Sequence, residues 1–583
     1  MLEFAGSDGI LRNPSRPSDM PGTLVALLDR AARHAPDRPF VIETAPARPD
    51  AVARATTYAE ARHAAHRIAA NLAATTPPGA VVVALPPGVD HLLLTLAAYV
   101  AGRPVVPVSP AVFEHDDEVR LRLLRAVGPG LVAVPSGRCV PAAERLDAPV
   151  FAATTPEGPA APLATLLAAD ADTGAVPPRP PDPASVCKLL LTSGSTGVPK
   201  AVAQTHRMLT ANQGMLAALL PEACAGPPVV VDWLPWSHTF GGNHDLHLVL
   251  AHAGTLVVDE GPARDPDLSR RLRRLSAFRP TAIFDVPRVF DRLVASWEQA
   301  TDDAARALSR AEVVFYAGAS LSADTFDRLR RLLARHGPPG AFVSCGYGAT
   351  ETGPLVTAVP AALARTRKDP RGIGIPAPGA SVRLARADAG TELWVSSPAV
   401  APYYVGPDGT RAPVADVDGW FHTGDAGSLL DPADVAAGLR IDGRLAENFK
   451  LATGTWVPVA AVRERLAAAL GPQVRHVVLV GPDAPFLAAL LFVDGDPAPG
   501  LVRRVRDVLT HLAADGGGSS RIVRAAALVA RALDPAAGEI TEKGSVHEAR
   551  VRTRCADLVA ALYDGTRTAT VPIVRVDDPQ SST

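Results

Sequence analysis

Lysine is nearly missing from this chain. Of its 58 basic residues only Lys188, Lys200, Lys368, Lys450 and Lys543 are lysines, and arginine supplies the rest. Cysteine is also scarce: five are scattered at 139, 187, 224, 345 and 555, with no CxxC spacing. That odd number argues against a disulfide framework and a thiolate zinc site, and suits a reducing compartment. No long hydrophobic run is present. The most apolar stretch, HLLLTLAAYVAG, has 12 residues between Asp90 and Arg103, too few to span a bilayer. The start, MLEFAGSDGILRNP, has no basic segment leading into an apolar one, so a secretory leader is not expected. A cytoplasmic protein with no membrane partner is the expectation. The formal charge of −2, with arginines spread along the chain, gives no basic stripe, so nucleic acid is not an expected partner either.

What is present is a chain of 583 residues, 47% hydrophobic and 20% charged, long enough for more than one packed domain. Residues 81–108, VVVALPPGVDHLLLTLAAYVAGRPVVPV, read as strand, helix, strand, which predicts parallel pairing through a right-handed crossover. The same rhythm recurs over 229–260, and further strands are predicted at 281–287 and 312–318 beside amphipathic helices. The fold expected is α/β: a large layered N-terminal region over 1–442, with a proline-rich connection near 173–185. A smaller, mobile α+β domain is expected over 443–583, with two antiparallel strands in 475–495 and a helix ending in a glycine loop. The last dozen residues are expected to be disordered.

The strongest local signal is LLLTSGSTGVPKAV at 189–202. A strand-like run feeds Thr192, Ser193, Gly194, Ser195, Thr196 and Gly197, and Lys200 follows. Glycines let successive N–H groups turn toward an anion, hydroxyls add donors, and a lysine adds a mobile charge, which together suit phosphate. The GxxGxxK spacing is not that of a Walker A loop, and no Ser or Thr follows the lysine.

With that loop, five further motifs stand in order: YAGASLS (316–322), GYGATETG (346–353), GWFHTGDAG (419–427), DGRLAENFKLATG (442–454) and EITEKGS (539–545). The set resembles the adenylate-forming enzymes, which include acyl- and aryl-CoA ligases, luciferases and peptide-synthetase adenylation domains. The resemblance covers about residues 20–555, and DWLPWSHTFGGNHDLHLVL, ENFKLATGTWV and GEITEKGS look most like feruloyl-CoA synthases. It implies ATP and Mg²⁺ as cofactors, CoA as co-substrate and a small aromatic acid as substrate, with a monomer or homodimer both open.

The resemblance also implies roles. Gly318, Ala319, Tyr347 and Thr350 would line the adenine side, Glu351 would hold Mg²⁺ through the phosphates, and Asp425 would take the ribose hydroxyls. Arg444 would contact ATP. Lys543 would bridge carboxylate and α-phosphate during adenylation, and Lys450 would serve the thiol step after the small domain turns. Ala446 stands where much of the superfamily has Asp or Lys at the hinge. Trp236, His238, Phe240, Gly241, Gly242 and Asn243 would border the carboxylate pocket, Gly346 and Gly348 would form the opposing wall, and His238 is also a catalytic candidate. Gly241 and Gly242 are expected there so that a flat ring can approach the backbone. Lys188 and Lys368 are expected to be ordinary solvated lysines. Two rivals stay open. One is an adenylating enzyme with another partner: nitrite to diazotise an arylamine, a carrier protein, or an amine. The other is a nucleotide binder without turnover, against which Lys200, Glu351, Asp425 and Lys543 all speak.

Overall fold

The computed structural model describes residues 2–5, 8–45, 47–154, 160–168, 180–193, 198–259, 261, 268–367, 369–471, 473–515, 518–534, 537–540, 546–564 and 571–576. Its chain contacts divide it into two compact units. One comprises residues 1–384, 394–423 and 429–440; the other comprises 385–393, 424–428 and 441–583.

In the larger unit, β1 (Ala80–Val83), α1 (Val89–Val100) and β2 (Val105–Pro107) form the expected crossover, with Val81 opposite Val105 in parallel register. β3 (Pro129–Val134) pairs with the other edge of β1, also parallel. β4 (Val186–Ser193) lies parallel to β2 and turns back antiparallel into β5 (Pro199–Thr205), which feeds α2 (His206–Leu219). Buried on one side of this sheet are Val82, Val106, Val132, Leu189, Ala201 and Ala203. Burying a Val or Leu side chain is worth about 1.5–3 kcal/mol over leaving it in water. Thr205 caps α2 by accepting from the Met208 amide, which fixes where the strand stops.

A second parallel pair is β6 (Val229–Asp232) and β7 (Thr255–Val258). Between them lie a π-helical turn, α3 (Phe240–Asp245), and α4 (Leu246–Ala251). π-turns inside helices gather at functional sites, because the extra residue re-aims side chains. A third run of parallel strands is β8 (Ala282–Asp285), β9 (Val313–Tyr316) and β10 (Phe342–Gly348), closed by antiparallel β11 (Leu355–Ala358). β12 (Tyr403–Val405) returns to pair antiparallel with β5, setting Tyr404 opposite Val202.

In the smaller unit, β13 (Phe449–Lys450) pairs with β14 (Trp456–Val457), followed by α5 (Val459–Leu470). β15 (Val474–Val480) and β16 (Leu487–Val493) are the two antiparallel strands expected in 475–495, and α6 (Pro499–Ala514) is the helix that follows. β17 (Val523–Val529) runs parallel to β16. β18 (Ile573–Arg575) then pairs antiparallel with β17. This strand corrects the expectation that the last dozen residues are disordered: Val574 is fully buried against the sheet, and that apolar contact orders the segment. Residues 577–583 lie outside the described ones. No described helix is long and apolar enough to cross a membrane.

Candidate nucleotide and carboxylate site

The β4–β5 hairpin carries the phosphate-type loop at its tip. Thr192 lies opposite Lys200 and Ser193 opposite Pro199, so the loop's first hydroxyl and its lysine are cross-strand neighbours. Gly194, Ser195, Thr196 and Gly197 lie outside the described residues, as do Lys368 and Lys543. The Lys200 ammonium stands 4.6 Å above the centre of the Tyr404 ring. The Tyr404 hydroxyl donates to Glu351 Oε1 at 3.1 Å. One tyrosine thus ties the loop lysine to the carboxylate of the GYGATETG motif. Burial, then the neighbouring Glu351 carboxylate, hold the Tyr404 phenol well above its usual range, so it stays a donor.

The 350–352 turn that presents Glu351 is held through all three carbonyls. Thr350 O accepts from Gln204 Nε2 at 2.8 Å, Glu351 O from the Ala401 amide at 2.8 Å, and Thr352 O from Asn212 Nδ2 at 3.2 Å. Gly318 (φ +84°) and Ala319 are exposed just past the C-terminal end of β9, and Gly346, Tyr347 and Gly348 end the adjacent β10. Ligand sites of open parallel sheets form at such strand ends. Thr350 is buried beside them.

The WLPWSHTFGGNH segment is seated from beneath. Trp233 Nε1 donates to Asp285 Oδ1 at 3.1 Å, and the Leu234 amide donates to Asp232 Oδ1 at 2.8 Å. Trp236 is buried edge-on to His91, while His238 is half-buried with its Nδ1 accepting from the Phe240 amide. Phe240, Phe284 and Phe315 surround the ring of His244, whose burial lowers its pKa to about 3, so the imidazole is neutral.

Three expectations change here. The smallness of Gly241 and Gly242 serves the chain itself. A Cβ on Gly241 would come 2.5 Å from the Leu234 carbonyl oxygen, and one on Gly242 would strike that of Trp236. Gly346 and Gly348 are packed similarly, against Phe315 and Pro354. Asn243 is fully buried with its amide spent on protein partners: Oδ1 accepts from Lys188, and Nδ2 donates to Gln204 and Thr239. Lys188, expected to be solvated, is 2% exposed. Its Nζ donates to Gly242 O at 2.8 Å and Asn243 Oδ1 at 2.9 Å. Burial pulls its pKa down to about 7.

The smaller unit brings Asp425 and Arg444 together, Arg444 Nε to Asp425 Oδ1 at 2.8 Å, with the arginine exposed and the carboxylate nearly buried. Lys450 is exposed, its ammonium 5.1 Å from the Trp456 ring centre. Among the described residues on either side of 541–545, Ile540 bridges Val546, and buried Glu539 takes two bonds of 2.7 Å from Arg531.

Sequence reasoning missed Tyr404, Gln204, Asn212 and the true place of Lys188. For Lys188 a signal existed, since a charge set inside the apolar run VCKLLL belongs to a strand covered on both faces. For the other three no local pattern marks them.

A layered α/β region and a separate α+β unit are the architecture that solved structures match. The chain belongs to the AMP-binding enzyme family, whose match covers residues 28–405. It is 29% identical over 353 residues to the long-chain-fatty-acid–CoA ligase heimdall of Drosophila melanogaster, covering 53% of this chain and 50% of that one. It is 30% identical over 327 residues to 4-coumarate–CoA ligase 2 of Oryza sativa subsp. japonica, covering 54% of each. The chain thus matches about half the length of these curated relatives. Its fold is that of the amide bond synthetase McbA from Marinactinospora thermotolerans, with a TM-score of 0.71 at 21% identity over 91% of this chain and 99% of that one.

Proposed function

We propose that the chain is an ATP-dependent ligase that adenylates an aromatic or hydroxycinnamate-type carboxylate, releases pyrophosphate and passes the acyl group to CoA. The observation that carries this reading is the Lys200–Tyr404–Glu351 cluster at the base of the phosphate-type hairpin. It sets a mobile cation and an oriented carboxylate where a triphosphate would need both. Glu351 offers a half-buried hard-oxygen ligand already steered by Tyr404, which fits a magnesium ion carried on the phosphates. Such an ion would offset phosphate charge. Lys200 would hold the β- and γ-phosphate side, Thr350, Gly318, Ala319 and Tyr347 the adenine, and Asp425 with Arg444 the ribose side. Lys543 would place one positive charge between carboxylate and α-phosphate, and Lys450 would act in the thiol step. The division near 442/443 and the mobility of the smaller domain belong to this reading.

The choice of an aromatic acid rests on the likeness to the coumarate ligase. The test incubates the protein with ATP, Mg²⁺ and a hydroxycinnamate or a long-chain fatty acid, with and without CoA, following pyrophosphate and thioester. Expected are CoA-dependent thioester with the hydroxycinnamate, and a several-fold higher KM for ATP in Tyr404→Phe, which loses one charge-assisted hydrogen bond. Thioester from the fatty acid alone would overturn the substrate class. Pyrophosphate without thioester would overturn the CoA step in favour of nitrite, a carrier protein or an amine as partner.

A further inference from the structure

We infer that Lys188 is a positioning residue that anchors one end of a buried hydrogen-bond relay running from α3 to the turn that presents Glu351. The relay has three links. Lys188 Nζ donates to Asn243 Oδ1 at 2.9 Å; Asn243 Nδ2 donates to Gln204 Oε1 at 2.9 Å; Gln204 Nε2 donates to Thr350 O at 2.8 Å. All four residues are at least nine-tenths buried. Lys188 and Gln204 face each other across the β4–β5 hairpin, so the relay crosses the two strands that carry the phosphate-type loop.

Direction is the point. A primary amide presents an acceptor on one side and donors on the other, and either end can face a given neighbour. An ammonium has donors only. With Lys188 charged, Asn243 must turn its oxygen toward it and its NH₂ toward Gln204. Gln204 must then turn its oxygen toward Asn243, which leaves its NH₂ for the Thr350 carbonyl. Thr239 Oγ1 takes the second Asn243 N–H at 3.0 Å and reinforces the same choice. The second Lys188 bond, to Gly242 O at 2.8 Å, anchors the ammonium to α3 itself. Among the described residues no carboxylate pairs with this ammonium, so an apolar side chain of similar length would spare the fold the burial of a charge. The Thr350 carbonyl, which can only accept, sets the same direction from the far end, so methionine at 188 would fill the space but leave Asn243 Oδ1 without its donor and loosen the near end.

The consequence is a link between the segment bordering the carboxylate pocket and the turn that holds the magnesium-side glutamate. It rests on the adenylation reading for its kinetic effect, but the relay itself can be read without turnover. Lys188→Met, Gln204→Met and the double variant are compared with wild type at pH 6, where Lys188 is charged, for ATP·Mg²⁺ affinity by calorimetry and for backbone amide exchange over residues 350–353. Each single variant should weaken ATP affinity about five- to tenfold, the size of one buried hydrogen bond with its orphaned partner. The double variant should be no weaker than the poorer single one, because both break the same chain. Amide exchange at 350–353 should quicken in all three.

Multiplying effects in the double variant, or exchange unchanged at 350–353, would overturn the relay. If Lys188→Met fails to fold, Gln204→Met keeps the Lys188 bonds and decides by exchange alone. If wild type binds no ATP, the ligase reading falls, while quickened exchange still supports the relay and unchanged exchange still removes it.

Discussion

At the residue scale, Lys188 shows what a single buried charge costs. Its folded-state pKa of about 7 lies below the ordinary 10.5 because burial penalises the ammonium. Below about pH 7 both folded and unfolded chains hold the proton, and the penalty is present in full. Between the two values the unfolded chain binds a proton that the folded one has released, so stability rises with pH across that window. Of its neighbours, His91 titrates near 4 and His247 well below its usual value, both below the window, while Cys187, pushed up to about 12 by burial, opposes the rise near pH 9 in both proteins compared and so cancels in their difference. Unfolding free energies from urea titrations at pH 7 to 9 should therefore climb in wild type by up to about 1.4 kcal/mol per pH unit relative to Lys188→Met. Parallel curves for the two proteins would contradict the burial of a titrating amine. The scarcity of lysine drew attention to this residue in the sequence, yet composition cannot tell which lysines are enclosed. Enclosure depends on α1 and α3, which pack over β4 from distant parts of the chain.

At the scale of elements, the sequence was most legible where pattern is local. The crossover of β1, α1 and β2, the parallel pair β6 and β7, and the β15–β16 hairpin all follow from short apolar runs bounded by turn residues. The phosphate-type hairpin was legible for the same reason. Tyr404 was not, because β12 joins β5 only through a pairing some 200 residues apart in sequence. The residues flanking 541–545 are tied by contacts eight residues apart: Arg531 pairs with buried Glu539, whose backbone accepts from the His547 amide at 2.8 Å. Arg531→Met removes two 2.7 Å bonds and leaves Glu539 with the Asp534 amide and the Arg554 guanidinium 3.7 Å away, a loss of about 1–3 kcal/mol. Expected are a lowered melting temperature and faster amide exchange at Ile540 and Val546, with pyrophosphate release falling further than ATP affinity. Unchanged exchange at the bridge would show that the ion pair does not hold it.

At the scale of the whole molecule, two compact units each carry part of the chemistry proposed. The larger holds Lys200, Tyr404 and Glu351; the smaller holds Asp425, Arg444, Lys450 and, by sequence, Lys543. If the reaction has two half-steps, the two lysines of the smaller unit should separate them. Lys543→Ala should abolish pyrophosphate release, and Lys450→Ala should spare it while slowing thioester formation from a preformed adenylate. Equal loss in both half-steps would undo that division. The order of motifs announced the family, but it did not reveal which motif residues touch. Contacts such as Arg444 to Asp425 depend on β-pairings formed between segments that the sequence only places in order.

The shared core under α3 also bears on redesign of substrate choice. Changes at Gly242 or Asn243 would be felt at the nucleotide end, so libraries aimed there would confound selectivity with cofactor affinity. Phe240 and His244 sit on the same turn, but their side chains meet aromatic rings and stand off the amide chain. Mutagenesis for new acids would begin with those two positions, where ring shape can be altered while the Lys188–Asn243–Gln204 bonds stay in place.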